Sequence, residues 1–139
     1  MIRPMRPTEV DTVAEIWLQS NLQAHDFIPA AYWQAHFSAV REQLAQAEVH
    51  VCEEDGELLG FLGLQGEYLA GIFVRQEARS RGVGRQLLDD AKESRGRLTL
   101  HVYEQNARAM RFYQREGFRR VGAGRDPDTG EREWEMAWG

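Results

Sequence analysis

The sequence predicts an α/β fold in which one mixed sheet carries helices on both of its faces. Short apolar and β-branched segments alternate with segments of helical periodicity, in the order β-α-α-β-β-β-α-β-α-β-β. This order combines antiparallel hairpins with strand–helix–strand units, which place their strands in parallel. A chain of 139 residues can bury one sizeable core, so we expect a single domain over residues 1–139.

The first third of the chain predicts one short strand and two helices. Met1–Arg3 is the candidate strand, and Thr8 is a candidate N-cap for the first helix. The apolar face of that helix comprises Val10, Val13, Ala14 and Trp17. Pro29 precedes the second helix. Its apolar face comprises Trp33, Phe37, Val40 and Leu44.

A hairpin and a third strand follow in the middle of the chain. Val49–Glu53 and Leu58–Leu64 flank Asp55-Gly56, and Asp-Gly is favoured in tight hairpin turns. Tyr68–Val74 is the next strand. Its Gly71 indicates either a close approach by a ligand or another backbone, or a β-bulge.

The second half alternates helices and strands. A helix beginning at Gly82 buries Val83, Leu87, Leu88 and Ala91. Gly96 is the predicted stop near its end. In the strand Leu98–Tyr103, Leu100 and Val102 share one face. The other face comprises Thr99, His101 and Tyr103.

The last helix and two closing strands complete the predicted sheet. Asn106 starts the helix and Gly117 ends it. The closing strands are Phe118–Ala123 and Glu133–Trp138, joined by the polar turn Asp126–Gly130.

Composition limits the classes of function. The net charge of −5 argues against a nucleic-acid partner and for a cationic one. The single cysteine, Cys52, excludes an internal disulfide and a cysteine-only metal cage, and its apolar strand favours a buried structural role. No apolar segment has membrane-spanning length and no signal peptide opens the chain, so we expect no membrane association and a cytoplasmic location. The histidines lack metal-ligand spacing, so we expect no metal.

The most informative segment is the basic turn between the strand that ends at Val74 and the helix that begins at Gly82. The first N–H groups of a helix lack partners and attract anions, and glycines let a ligand approach the backbone. Three arginines flank the two glycines: Arg79, Arg81 and Arg85. The segment predicts a phosphate or pyrophosphate site, although each arginine could also belong to a solvated basic face.

Two common phosphate-binding motifs do not fit this turn. A Walker A loop needs Lys-Ser or Lys-Thr after its last glycine, and Arg85-Gln86 stands there. A dinucleotide fingerprint needs a third small residue, and Leu87 occupies that position.

Two motifs resemble those of the GNAT N-acetyltransferases. The sequence from Arg79 to Gly84 reads Arg-x-x-Gly-x-Gly, which is similar to the acetyl-CoA pyrophosphate loop of that family. The sequence from Asn106 to Phe118 is similar to the family signature Asn-x-x-Ala-x-x-Phe-Tyr-x-x-x-Gly-Phe. The resemblance covers essentially the whole chain. The segment His25–Ile28, with Tyr32 after it, resembles the small, stand-alone bacterial YjaB-like branch.

The resemblance implies the acyl-CoA N-acyltransferase fold and acetyl-CoA as cosubstrate. In this family the strands on either side of the helix from Gly82 diverge, and pantetheine passes between them. Backbone groups of the first of these strands then bind the acetyl carbonyl and the pantetheine amide. The implied coenzyme-binding residues are Ile72, Phe73, Val74, Arg79, Ser80, Arg81, Gly82, Val83, Gly84, Arg85, Asn106 and Tyr113. Asn106 can serve equally as a helix N-cap.

The implied reaction is direct attack of a primary amine on the thioester, with two candidate catalytic residues. Tyr113 would protonate the leaving thiolate, or else is a core tyrosine. His101 would take the proton of the amine, or else is a buried structural histidine. Related ribosomal-protein acetyltransferases have a glutamate at the position of His101. Weaker candidates for the base are Glu67, Glu104, His25 and water.

The sequence says least about the identity of the amine acceptor. The family places it near His25, Asp26, Phe27 and Tyr32, a segment that could also be only a corner between helices. A protein lysine or N-terminal amine is the first choice, and a small-molecule amine is the alternative. A non-catalytic acyl-CoA-binding module is the alternative from a different class. The resemblance is compatible with a monomer or a homodimer.

Overall fold

The computed structural model describes all 139 residues and confirms one mixed sheet with helices on both faces. Two short 3-10 turns, Pro7–Glu9 and Gln76–Ala78, lead towards α1 and α3. The elements are β1 (Ile2–Pro4), α1 (Val10–Ala24), α2 (Ala30–Gln46), β2 (Glu48–Glu54), β3 (Glu57–Gln65), β4 (Tyr68–Val74), α3 (Val83–Ser94), β5 (Leu98–Tyr103), α4 (Ala107–Arg115), β6 (Arg119–Arg125) and β7 (Arg132–Trp138).

The seven strands lie in the order β1-β2-β3-β4-β5-β7-β6. Every neighbouring pair is antiparallel except β4 and β5, which α3 connects as parallel neighbours. This confirms the predicted strand–helix–strand unit. β4 and β5 pair only at Tyr68 and Thr99 and have no further ladder contact, so they diverge towards their carboxyl ends.

Two apolar cores lie on opposite faces of the sheet. The larger core joins α3 and α4 to one face and includes Leu62, Leu69, Leu87, Leu100 and Tyr113. The smaller core joins α1 and α2 to the other face and includes Val13, Ile16, Leu44, Val51 and Phe61. The smaller core draws its strand residues from β2, β3 and β4, which leaves β5, β7 and β6 outside it on that side.

Most predicted boundaries and turns agree with the structure. Asp55 and Gly56 both adopt positive φ, as a tight hairpin turn of two residues requires. The Oδ1 atom of Asn106 accepts a hydrogen bond from the Ala109 N–H at 3.2 Å, and Gly117 ends the helical segment at φ 95°. β6 begins at Arg119 and ends at Arg125, later than predicted at both ends.

Two predicted helix ends are wrong. Thr8 does not cap α1, because it lies inside the 3-10 turn that precedes the helix. There the Glu9 carboxylate accepts from the Arg6 N–H and from the Arg3 guanidinium, and Arg3 lowers the pKa of Glu9 to about 2. Gly96 is not a left-handed stop for α3, since the helix ends at Ser94 and the chain is already extended at Arg95.

Lys92 is the only lysine in the sequence and is half-buried on α3. Its ammonium donates a hydrogen bond to the backbone oxygen of Glu116 at 2.5 Å. It also lies 5.9 Å and 5.0 Å from the ring centres of Phe118 and Trp138. A carbonyl at the end of a helix and two aromatic faces all favour a cation. Lys92 therefore links α3 to the end of α4.

Cys52 lies buried in β2, and burial raises the pKa of its thiol, which disfavours the reactive thiolate. None of the helices combines the length and the apolar character that crossing a membrane requires.

Candidate active site

A cleft of about 770 Å³ lies where β4 ends and where α3 and α4 begin. The carboxyl end of α1 forms one wall, through residues that include Ser20, Asn21 and His25. Every predicted coenzyme-binding residue lines the cleft except Arg81. The divergence of β4 and β5 opens the sheet at this position.

One end of the cleft presents backbone N–H groups that have no partner within a helix. Ser80 and Gly82 adopt positive φ, 65° and 79°, so the turn before α3 has an unusual backbone. The first backbone N–H to bond within α3 is that of Gln86, to the Gly82 oxygen at 3.0 Å, and no side chain caps the helix. The N–H groups of Val83, Gly84 and Arg85 therefore have no intrahelical partner and can bind phosphate oxygens. The left-handed conformation of Ser80 has no signal in the sequence.

The cationic side chains at this end differ from those expected. Arg79 lines the cleft, and its pKa is lowered by burial and by the nearby charge of Arg108. Two close guanidinium groups stabilise a bound anion. Arg81 instead contacts Glu54 at 3.0 Å outside the cleft. Arg108 and Arg115 of α4 also line the cleft, which was not expected from the sequence. Their spacing of seven residues, about two helical turns, indicates that both lie on one face of the helix.

The position of the Phe73 ring explains why residue 71 is a glycine. A Cβ atom at Gly71 would lie 2.5 Å from the Phe73 ring, which itself stacks on Phe61 with 5.0 Å between ring centres. The register also shifts beside Gly71, which leaves Ala70 as a bulged residue. The close approach is therefore made by a side chain, and the bulge is present as well.

Tyr113 lies on α4 with 8% of its surface exposed, at the wall of the cleft. It packs against Phe112 and Phe118, with ring centres 5.3 Å and 5.5 Å away. Burial raises the pKa of its phenol, so the hydroxyl stays protonated at neutral pH. The hydroxyl belongs to the wall of the cleft.

His101 is exposed, so the alternative of a buried structural histidine is wrong. It does not line the cleft that contains Tyr113. Since Leu100 and Val102 face α3 and α4, His101 faces the opposite side of the sheet. Its Nδ1 atom lies 3.0 Å from the hydroxyl oxygen of Tyr68. Tyr113 and His101 thus lie on the two sides of the sheet, beside the gap between β4 and β5.

Carboxylates surround His101 on this open face. In the β5–β7 register, Glu135 is opposite His101 and Glu133 is opposite Tyr103, and opposite residues share a face. The hydroxyl of Tyr103 donates to Asp126 at 2.6 Å. Burial and Asp126 raise the pKa of Glu133, while His101 opposes this shift. Glu133 and Glu135 were not singled out in the sequence, because their grouping depends on strand register.

The predicted acceptor segment lies at the border of this face. Phe27 packs edge to face on Tyr103, with ring centres 5.8 Å apart, and the Tyr32 hydroxyl lies 3.5 Å from Asp128. Asp26 is exposed. His25 extends into the cleft wall and contacts Asn106. Side chains of this segment thus reach both the cleft and the open face.

Two further base candidates lie on exposed turns. Glu67 precedes β4, and Glu104 lies 3.9 Å from Arg132. No group of three or more His, Cys, Asp or Glu side chains is placed to hold a metal ion.

Comparisons with known proteins agree with this geometry. Residues 45–120 match the family described as an acetyltransferase (GNAT) domain. The chain is 39% identical to the Escherichia coli peptidyl-lysine N-acetyltransferase YiaC, over 99% of this chain and 96% of YiaC. It is 34% identical to the E. coli peptidyl-lysine N-acetyltransferase YjaB, over 94% and 89% of the two chains. The solution structure of apo YjaB superposes with a TM-score of 0.89 at 31% identity, over 99% of this chain and 96% of YjaB.

The matches to YiaC and YjaB cover nearly the full length of the chain, and residues of both sequence motifs line the cleft. The chain belongs to the GNAT acetyltransferase family, whose members transfer an acetyl group from acetyl-CoA to an amine.

Proposed function

We propose that this enzyme acetylates the ε-amino group of lysine in peptides or proteins. The observation that carries the proposal is the pair of unlike surfaces on the two sides of the β4–β5 gap. One is a cleft with an anion-binding end, and the other is an open face bordered by carboxylates and aromatic rings. The E. coli relatives YiaC and YjaB are named as peptidyl-lysine acetyltransferases, which supports the same acceptor class here.

The coenzyme occupies the cleft in this proposal. The free N–H groups at the start of α3, with Arg79, Arg85 and Arg108, hold its pyrophosphate. The pantetheine arm runs along β4, where backbone groups of Ile72, Phe73 and Val74 bind it and the acetyl carbonyl. The thioester then reaches the gap between β4 and β5, beside Tyr113.

The open face receives the lysine. A protonated lysine side chain is drawn to Asp126, Glu133 and Glu135 by charge. The rings of Tyr68 and Tyr103 flank these carboxylates and suit the apolar stem of the side chain. An open face gives access to a residue within a polypeptide, which a closed pocket would exclude.

The chain's own groups then perform three tasks. His101 removes the proton of the ammonium, since only a neutral amine attacks the acetyl carbonyl. Backbone N–H groups of β4 stabilise the oxyanion that forms. Tyr113 gives its proton to the sulfur as the carbon–sulfur bond breaks, and the second proton that the amine nitrogen loses restores the phenol. Direct transfer needs no acyl-enzyme nucleophile, and Cys52 is buried away from the cleft.

The acceptor class is tested by thiol release from acetyl-CoA with a panel of amines. We expect turnover with an N-acetylated peptide that contains one lysine, and a mass increase of one acetyl group on that lysine. The matched control is the same peptide with arginine in place of lysine, which keeps the charge but has no nucleophilic amine. A polyamine and an aminoglycoside complete the panel.

Two results would contradict the proposal. Turnover confined to the polyamine or the aminoglycoside would assign a small-molecule acceptor. Binding of acetyl-CoA without turnover on any amine would instead assign a non-catalytic acyl-CoA-binding module.

The proposed base is tested by the pH dependence of turnover. At saturating lysine peptide, the rate is expected to rise with pH through one limb, because His101 must be neutral to accept the proton. His101→Ala should remove this limb and lower the rate at least tenfold above it.

His50→Ala serves as the matched control for that measurement, because His50 pairs with Glu48 and Asp90 and does not line the cleft. It should keep the limb. If the limb persists unchanged in His101→Ala, the proton leaves through another group, such as Glu133, Glu67, Glu104 or water.

A further inference from the structure

An unbroken chain of hydrogen bonds connects the end of α1 to the start of α4 across the cleft. The Nδ2 group of Asn21 donates to the Trp17 backbone oxygen at 2.9 Å. Its Oδ1 atom lies 2.8 Å from Nδ1 of His25, and Nε2 of His25 lies 3.0 Å from Nδ2 of Asn106. The chain ends where Oδ1 of Asn106 accepts from the Ala109 N–H. His25 and Asn106 are 81 residues apart in sequence.

The direction of every bond in this chain is fixed by its two ends. The Trp17 oxygen can only accept, so Asn21 presents its carbonyl oxygen to His25. The Ala109 N–H can only donate, so Asn106 presents its amide N–H to His25. His25 must therefore donate from Nδ1 and accept at Nε2. Only one neutral tautomer of imidazole does both.

The surroundings of His25 favour that neutral form. Its ring packs against Trp33, Phe27 and Tyr103, with ring centres 5.6, 5.6 and 4.9 Å away. Burial lowers the pKa of His25 to about 4, against the opposing charge of Asp26. A protonated ring would place an N–H against the N–H of Asn106. Since Nε2 is already occupied and the ring is a weak base, His25 is unsuited to deprotonate the acceptor.

We propose that His25 is a positioning residue for acetyl transfer, which holds Asn106 and thereby the start of α4 at a fixed distance from α1. The proposal rests on the coenzyme cleft described under the proposed function. Tyr113 lies seven residues after Asn106 on the same helix, about two turns away. A shift at the start of α4 therefore moves the hydroxyl that faces the thioester. Misplacement by about 1 Å can cost about a hundredfold in rate.

Two polar substitutions test the two hydrogen bonds of His25 one at a time. Glutamine places its amide at the position of Nε2, so His25→Gln keeps an acceptor for Asn106. Asparagine reaches only the position of Nδ1, so His25→Asn keeps the bond to Asn21 and leaves Asn106 unpaired. We expect kcat to fall less than threefold in His25→Gln and at least tenfold in His25→Asn. The dissociation constant of acetyl-CoA, measured by calorimetry, should rise less than kcat falls in His25→Asn, because the backbone N–H groups at the start of α3 take no part in this hydrogen-bond chain.

A spectroscopic measurement tests the same contact without any acceptor. The ¹⁵N shifts of the His25 ring should show hydrogen on Nδ1 and none on Nε2 at neutral pH. In Asn106→Asp the N-cap is retained, but a carboxylate oxygen replaces the amide N–H that faces Nε2. The His25 ring should then take up a proton at Nε2 and titrate at a higher pH than in the wild type.

Equal kcat values for the glutamine and asparagine variants would overturn the proposal, as would an unchanged His25 titration in Asn106→Asp. The kinetic comparison uses whichever amine the wild-type enzyme acetylates. Failure of the peptide panel would therefore reject the lysine acceptor without deciding the role of His25. Circular dichroism of each variant establishes that a loss of rate is not a loss of fold.

Discussion

Replacing Gly82 or Gly84 by valine is expected to abolish acetyl-CoA binding while the fold is retained. Gly82 has φ 79°, which a β-branched residue adopts only with strain, so valine there distorts the turn that presents the N–H groups. Gly84 lies in the first turn of α3, where a Cβ makes only ordinary contact with Phe112 at 3.5 Å. The rest of a valine side chain there would extend beside Phe112 and Val74 into the cleft that is proposed to take the coenzyme. We expect affinity to fall at least about a hundredfold, or about 2.7 kcal/mol, by titration calorimetry.

Gly56→Val is the matched control for backbone strain. Gly56 has a similar φ of 82°, has open space around it and lies in the β2–β3 turn, outside the cleft. It should lower the melting temperature as Gly82→Val does but leave acetyl-CoA affinity unchanged. Near-wild-type affinity in both cleft variants would reject the phosphate site at the start of α3.

Tyr113→Phe is expected to lower kcat by roughly ten- to a thousandfold and to leave acetyl-CoA affinity nearly unchanged. The substitution keeps the ring and its packing against Phe112 and Phe118 and removes only the hydroxyl. A phenol is protonated at neutral pH, and burial raises the pKa of Tyr113 further from neutrality. Loss of the hydroxyl therefore removes a proton donor.

The measurement requires conditions in which chemistry limits the rate, established by a single-turnover experiment. Calorimetry with acetyl-CoA and a thermal melt show whether binding and packing are preserved. If kcat then stays within about twofold of the wild-type value, Tyr113 is a core residue and another group protonates the thiolate.

The parts of the site that sequence predicted well are local in the chain. The turn before α3 and the capping of α4 by Asn106 each depend on a few consecutive residues, whose backbone preferences are strong. The alternation of Leu100 and Val102 with His101 likewise fixed the face of β5 on which each lies. The resemblance to the family was based on the same local motifs, and the fold that it implied is the fold observed.

The parts that sequence did not predict depend on contacts between distant segments. Arg81 lies in the same basic turn as Arg79, but its guanidinium pairs with Glu54 at the end of β2 and lies outside the cleft. The grouping of Glu133 with His101 depends on the β5–β7 register. The bond between His25 and Asn106 depends on how closely the end of α1 approaches the start of α4. Thr8 is not the cap, because at this turn the Glu9 carboxylate accepts from the Arg6 N–H and from the Arg3 guanidinium.

The contacts of the Lys92 side chain bear on whether the enzyme can acetylate itself. An enzyme that acetylates lysine meets its own side-chain amines at the highest local concentration, and this chain has one such amine among 17 basic residues. The other 16 are arginines, whose guanidinium groups stay protonated and are not acceptors. Lys92 is half-buried, and its nitrogen bonds to the Glu116 carbonyl beside two aromatic rings, so it is held within the fold. With lysine as the proposed acceptor, the arginines of the surface carry positive charge without competing as substrates.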